Sequence, residues 1–147
     1  MTAEIILGKK RITRDSMPYV IAEIGVNHEG KLSQALELID LAKEGGADAA
    51  KFQTYKAEKL ASKYSPAYWD TKKEPTLSQF ELFKKYDSFN EKDYKKLANH
   101  CEDINIDFIS TPFDSEAVDY LEPIIPFYKI ASADITNKTM LKQIAAK

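Results

Sequence analysis

With 21 Lys and Arg against 23 Asp and Glu in 147 residues, the chain has a formal net charge of −2 and offers no electrostatic basis for a nucleic-acid or anionic-membrane partner. No apolar stretch approaches the ~20 residues of a membrane span, and the N-terminus lacks a charged start followed by an apolar run, so a cytoplasmic protein is expected. The single Cys101 rules out an intrachain disulfide, and its helical spacing from Leu97 and Ile104 marks it as a small buried hydrophobe rather than a nucleophile.

Residues 4–13 place Ile5, Ile6 and Leu7 before Gly8-Lys9 and a polar return, which predicts a β-hairpin outside the main pattern. The run Tyr19-Val20-Ile21-Ala22 then ends on Glu23, and a polar loop covers residues 25–30. Leu32, Ala35, Leu36, Ile39 and Ala42 recur at helical spacing until Gly45-Gly46 stops them. A second strand over residues 47–53 carries Lys51 and completes a βαβ unit. Residues 55–75 are rich in Lys, Tyr, Ser and Pro and read as a long loop, in which Tyr64, Tyr68 and Trp69 either stack on a sugar or pack the loop itself. Thr76-Leu77-Ser78-Gln79 has the form of a helix start, and Asn90 caps a crossover helix bearing Tyr94, Leu97, Ala98, Cys101 and Ile104. A third strand from near Asp107 runs through Phe108-Ile109 into Ser110-Thr111. A short helix over 114–122 is closed by Pro123, and a fourth apolar run, Phe127-Tyr128-Lys129-Ile130, leads to Ser132 and Asp134. A last helix starts near Asn137 and continues to Lys147, where the chain reads as cut.

Strands alternating with helices predict an α/β fold with a parallel sheet covered on both faces, and such sheets keep their working groups at the carboxyl ends of the strands. A lysine inside a covered strand is costly unless an anion meets it. Lys51 and Lys129, with the hydroxyls of Thr111 and Ser132, therefore outline a pocket for a phosphate or carboxylate; two internal ion pairs, Lys51 with Glu23 and Lys129 with Asp134, account for the lysines equally well. Glu23 and Asp134 are the acid/base candidates, and Asp134 is also placed to cap the last helix. His28 sits in a loop, where structural hydrogen bonding is the commoner role, and His100 lies on a polar helix face. Neither has a second ligand at metal-binding spacing, so this chain is read as holding no metal site. The lysine pairs at 72–73, 84–85 and 95–96 interleave with acids as solvated surface.

IAEIGVNHEG at 21–30, KFQTY at 51–55, FISTPFD at 108–114 and YKIASADITN at 128–137, in that order, resemble the N-terminal barrel of the N-acetylneuraminate (sialic acid) synthases, over nearly all of residues 19–147. The resemblance implies a partial (β/α)8 TIM barrel, about the first four βα units preceded by the hairpin, since 147 residues fall short of the ~250 of a whole barrel. It implies that residues 1–147 belong to a longer parent that adds the rest of the barrel and a small C-terminal domain. The implied activity of that parent is condensation of phosphoenolpyruvate with N-acetylmannosamine, or a related N-acylated hexosamine, to a nine-carbon sialic acid and phosphate. A divalent metal, commonly manganese, goes with it, its ligands lying outside this chain, and the 147 residues alone are expected to be inactive. Residue by residue, Lys51, Thr111, Lys129 and Ser132 match positions that hold phosphoenolpyruvate, Glu23 and Asp134 match acidic positions linked to proton transfer, and Gln53 matches one near the sugar. Asp134 stands where some members carry Glu. Open edges at the first and fourth strands lead to an expected homo-oligomer.

Overall fold

The computed structural model describes residues 4–147. The hairpin forms as expected, β1 (Ile5–Leu7) antiparallel to β2 (Lys10–Ile12). There follow β3 (Ile21–Gly25), α1 (Leu32–Glu44), β4 (Ala49–Thr54), a single turn α2 (Ala57–Leu60), α3 (Gln79–Tyr86), α4 (Glu91–Asp103), β5 (Asp107–Pro112), α5 (Ser115–Leu121) and α6 (Lys138–Ala145). Two 3-10 turns, Glu122–Ile124 and Ser132–Asp134, interrupt the last third.

The helix starts follow their capping chemistry. Ser78 accepts the Glu81 amide at α3, Asp114 accepts that of Ala117 at α5, and Asn137 accepts that of Met140 at α6. At α4 the cap is reciprocal: Asn90 accepts the Lys92 and Asp93 amides while the Asp93 carboxylate accepts the Asn90 amide, satisfying donors that the first helical turn leaves free. Helix α1 has no side-chain cap and relies on its apolar face, with Ala35 and Ile39 fully buried; it ends where the Gly45 amide returns to the Leu41 carbonyl at 2.9 Å.

Strands β3, β4 and β5 form one parallel sheet in that order. Glu23 lies beside Lys51 and Lys51 beside Ile109, while Gln53 lies beside Thr111. Because side chains alternate, Ala50, Phe52 and Phe108 point to the opposite face, where they pack against Ile39 of α1, Leu97 and Cys101 of α4, and Leu121 of α5. Burial of each large apolar side chain there contributes about 1.5–3 kcal/mol. Cys101 belongs to this core, with burial pushing its thiol up to about 12.

Three features depart from the sequence reading. β3 starts two residues later than its apolar run, since the Val20 carbonyl accepts the Asp48 and Ala49 amides and its own amide donates to Asp48; Glu23 is therefore inside the strand rather than after it. α2 was not foreseen and rests on the Asp87 carboxylate, which accepts the Ala57 amide at 2.9 Å. The fourth run does not become a strand: residues 126–131 carry no regular structure among the described residues, and the sheet has three strands rather than four. Residues 127–131 are only half-buried, so the run lacks the cover on both faces that a parallel strand requires. Its polar groups turn elsewhere, the Tyr128 hydroxyl donating to the Val118 carbonyl and the Lys129 ammonium to the Ile130 carbonyl.

The hairpin plugs the amino end of the sheet through two strand-leading aspartates. Asp48 accepts from Lys10 Nζ at 2.9 Å and the Val20 amide at 2.7 Å, contacts that hold its carboxyl below the usual carboxylate range. Asp107 accepts from the Lys9 amide at 3.2 Å and the Tyr19 hydroxyl at 2.5 Å, and Phe127 meets the Tyr19 ring edge-on. Gly8 makes this docking possible: its φ is +54°, and a Cβ there would stand 1.7 Å from Asp107 Oδ2. Gly8→Ala therefore combines left-handed strain with overpacking, and a loss of about 2–4 kcal/mol is expected in urea unfolding; an unchanged midpoint would disprove the close docking.

Candidate active site

The face of the sheet turned away from α1 and α4 carries four of the seven residues expected at the site. Lys51 is 7% exposed in the middle of β4, and its ammonium pairs with the Glu23 carboxylate, of which about half (55%) of the side chain is exposed. The expected internal ion pair is therefore present, and its open side is the Glu23 side. Gly25 sits next to this pair after a register irregularity in β3, and the first atom of any side chain at that position would lie 3.2 Å from Glu23 Oε1 and 3.7 Å from Gln53 Nε2. Thr111, 3% exposed, stands level with Gln53 on β5. A carboxylate, an ammonium, an amide and a hydroxyl thus share one face over neighbouring strands, a set able to bind an oxyanion at one end and pass a proton at the other.

Lys129, Ser132 and Asp134 are placed differently. Lys129 is half-buried and donates to its neighbour's carbonyl, so the expected Lys129–Asp134 pair is absent among the described residues. Ser132 is exposed on a 3-10 turn. Asp134 on the same turn does not cap α6; Asn137 does, while the Asp134 carbonyl and carboxylate accept from the Asn137 amide and side chain. No hydrogen bond or ion pair among the described residues joins these three to Glu23, Lys51, Gln53 or Thr111.

His28 takes the structural role expected of it. It is 2% exposed, its Nδ1 accepts the Gly30 amide at 3.0 Å, and its ring stacks on Phe89 at 4.2 Å. His100 Nε2 lies 2.7 Å from Asp40 on the surface. Among the described residues no group of three or more His, Cys, Asp or Glu is arranged to hold a metal ion. Trp69 packs the long loop by donating to the Glu74 carbonyl, and Tyr64 and Tyr68 are exposed.

Sequence reasoning missed the polar layer beneath the site. Thr54 and Ser110, both buried on the helix side of the sheet, share a hydrogen bond of 2.7 Å, and the Tyr94 hydroxyl donates to the Gln53 carbonyl at 2.9 Å. Strand alternation was the available signal for Thr54, since Phe52 two residues earlier points the same way. A cavity of about 470 Å³ opens on that side, between Thr54, Tyr55, Lys56, Phe89, Asp114 and Tyr120, and none of the seven expected residues lines it.

Burial holds the His28 imidazole down at about 4, against an ordinary value of 6.5. The folded chain thus prefers neutral His28, so its contribution to stability is complete above about pH 6.5 and is lost as pH falls through about 4. Asp48, held below its ordinary 3.8, titrates beneath that window. Urea midpoints measured between pH 7 and pH 4.5 should fall more steeply for the wild type than for His28→Gln; parallel curves would refute the assignment.

The chain is 40% identical over 132 residues to the N,N'-diacetyllegionaminic acid synthase of Legionella pneumophila, covering 88% of this chain and 37% of that protein. It is 34% identical over 130 residues to the N-acetylneuraminate-9-phosphate synthase of Homo sapiens, covering 88% and 36%. The crystal structure of the N-acetylneuraminic acid (sialic acid) synthetase of Leptospira borgpetersenii serovar Hardjo-bovis, in complex with citrate, superposes with a TM-score of 0.82 at 34% identity over 99% of this chain and 47% of that one. The chain spans well under half the length of the curated relatives it matches. The model of the NeuB family matches residues 38–147, three-quarters of the sequence and all of it from the middle of α1 onward, and the chain belongs to that family.

Proposed function

We propose that the parent of this chain condenses phosphoenolpyruvate with an N-acylated hexosamine, N-acetylmannosamine or a related sugar, to a nine-carbon sialic acid and phosphate. The observation that carries the reading is the shared face of Glu23, Lys51, Gln53 and Thr111, in a chain of a family whose relatives are named as synthases of legionaminic and neuraminic acids. The parent adds the remaining strands of a (β/α)8 barrel and a C-terminal domain, which agrees with the share of each relative that the chain spans.

In this reading Lys51 and Thr111 hold the charged end of phosphoenolpyruvate, joined by Lys129 and Ser132 once the neighbouring strand of the parent supports residues 126–134. Gln53 faces the sugar. The methylene carbon of phosphoenolpyruvate bonds to the open-chain aldehyde carbon, whose oxygen takes a proton. Water then adds at the former enol carbon, losing a proton, and the carbon–oxygen bond to phosphate breaks. Glu23, the exposed acid beside Lys51, and Asp134 carry these protons. Among the described residues no group of three or more His, Cys, Asp or Glu is placed to hold a metal ion, so in this reading a divalent metal, manganese by resemblance, would be held by other parts of the parent, and no step is drawn through it.

Glu23→Gln in the full-length parent should lower kcat about 10²–10⁴-fold in an assay of phosphate release, and Lys51→Met should raise KM for phosphoenolpyruvate about tenfold or more. Full turnover by Glu23→Gln would remove Glu23 from the proton path, and a parent that binds phosphoenolpyruvate but releases no phosphate would favour a non-catalytic anion-binding role. Residues 1–147 alone, with manganese and both substrates, should release no phosphate above background. The outer edges of β3 and β5 lack ladder partners among the described residues, and we propose that this chain on its own self-associates into a homo-oligomer through them; a monomeric mass by light scattering at working concentration would count against this.

A further inference from the structure

We propose that the link between α3 and α4, residues 87–89, is a strap that locks the loop after β3 to the loop after β4, and that Asp87 is a positioning residue for the sugar end of the site. The proposal rests on the functional reading above for what is positioned, though not for the strap itself. Each of the three residues reaches a loop at the carboxyl end of the sheet. Asp87, whose side chain is 1% exposed, accepts from Lys56 Nζ at 2.7 Å and from the Ala57 amide at 2.9 Å, fixing the turn that starts three residues after Gln53. The Phe89 carbonyl accepts from the same Lys56 ammonium at 3.0 Å. On the other side, Ser88 Oγ donates to the Gly30 carbonyl at 3.2 Å, and Phe89 stacks on His28.

The fit at Gly30 is close. Its φ is +78°, and a Cβ there would come within 2.8 Å of Ser88 Oγ, so the loop after β3 approaches the strap with no room for a side chain. The strap itself is anchored from below. Phe89 meets Tyr94 edge-on at 5.8 Å, and the Tyr94 hydroxyl holds the Gln53 carbonyl. Lys56, bonded to both ends of the strap, comes from the β4 loop, so moving Asp87 loosens that loop and the strap together. Parallel strands joined only by their ladder leave the loops above them free to diverge; three consecutive residues bridging two such loops remove that freedom, and displacements of about 1 Å at a reacting centre change rates up to ~10²-fold. Glu23 precedes one bridged loop and Gln53 the other, so the strap fixes the distance between the proton-transfer group and the sugar-facing amide.

The test uses the full-length parent. In Asp87→Ala, amide hydrogen exchange should accelerate together over residues 26–31 and 56–60 while β4 keeps its protection. KM for N-acetylmannosamine should rise about tenfold with KM for phosphoenolpyruvate within about twofold. Asp87→Asn, which keeps an acceptor for the Ala57 amide, should recover part of the sugar KM, and Ser88→Ala should loosen residues 28–31 alone. Faster exchange confined to 56–60, or a lower melting temperature with both KM values and kcat unchanged, overturns the proposal. If Asp87→Ala does not fold, Asp87→Asn and Ser88→Ala decide it by the same exchange pattern. A wild-type parent without condensation activity would sink the functional reading, whereas the exchange result would still decide the strap.

Discussion

β4 is the one strand of the described sheet bonded on both edges, and a lysine stands in its middle. Its side chain cannot leave the sheet face without dragging the strand, and an ammonium that is 7% exposed needs an anion within reach. The register of β3 supplies it, with Glu23 directly beside Lys51. Register and charge thus support each other: a slip of one residue in β3 would turn Glu23 toward Phe52 and Leu97 and leave the lysine bare. The same register puts Ile24 and Phe52 into the helix-covered core, so the pairing that satisfies the charge also selects the packing.

The consequence for chemistry is an asymmetric ion pair. Lys51 is enclosed, while Glu23 has half its side chain in solvent, so an incoming anion can compete for the ammonium from the Glu23 side without opening the core. In the proposed function, structural pairing and catalytic use are successive states of the same two side chains.

Most of the fold was legible because its signals are local. Caps at Ser78, Asn90, Asp114 and Asn137 fix helix starts from single side chains, and the apolar spacing of α1 and α4 gives the buried faces. Strand limits were less legible because they depend on partners. Val20 looks like strand from its side chain, yet its backbone is consumed by the turn leading into β4; Phe127-Tyr128-Lys129-Ile130 has the composition of a strand and lacks the cover that would make it one. At the site the strand pattern singled out Glu23, Lys51 and Thr111 and the family resemblance added Gln53, and the parallel ladder brings the four together. Lys129, Ser132 and Asp134 were tied to a strand that does not form, so no ladder sets them beside the other four. Asp87 left no signal, since an acid after a helix is ordinary until its burial and its two bonded partners are known.

The plug at the amino end has a further meaning in time. Lys9 reaches Asp107 across 98 positions of chain, and Lys9 and Lys43 both end on Asn105. Contacts of such span form late, because the entropy of closing the intervening chain is lost before the contact gives anything back. The hairpin precedes the whole sheet in the chain, yet its Asp107 partner is in place only after β5 has joined β4. During synthesis the contacts to Asp107 therefore wait until β5 has emerged and paired. Of the hairpin and the sheet, the part made first is the part secured last.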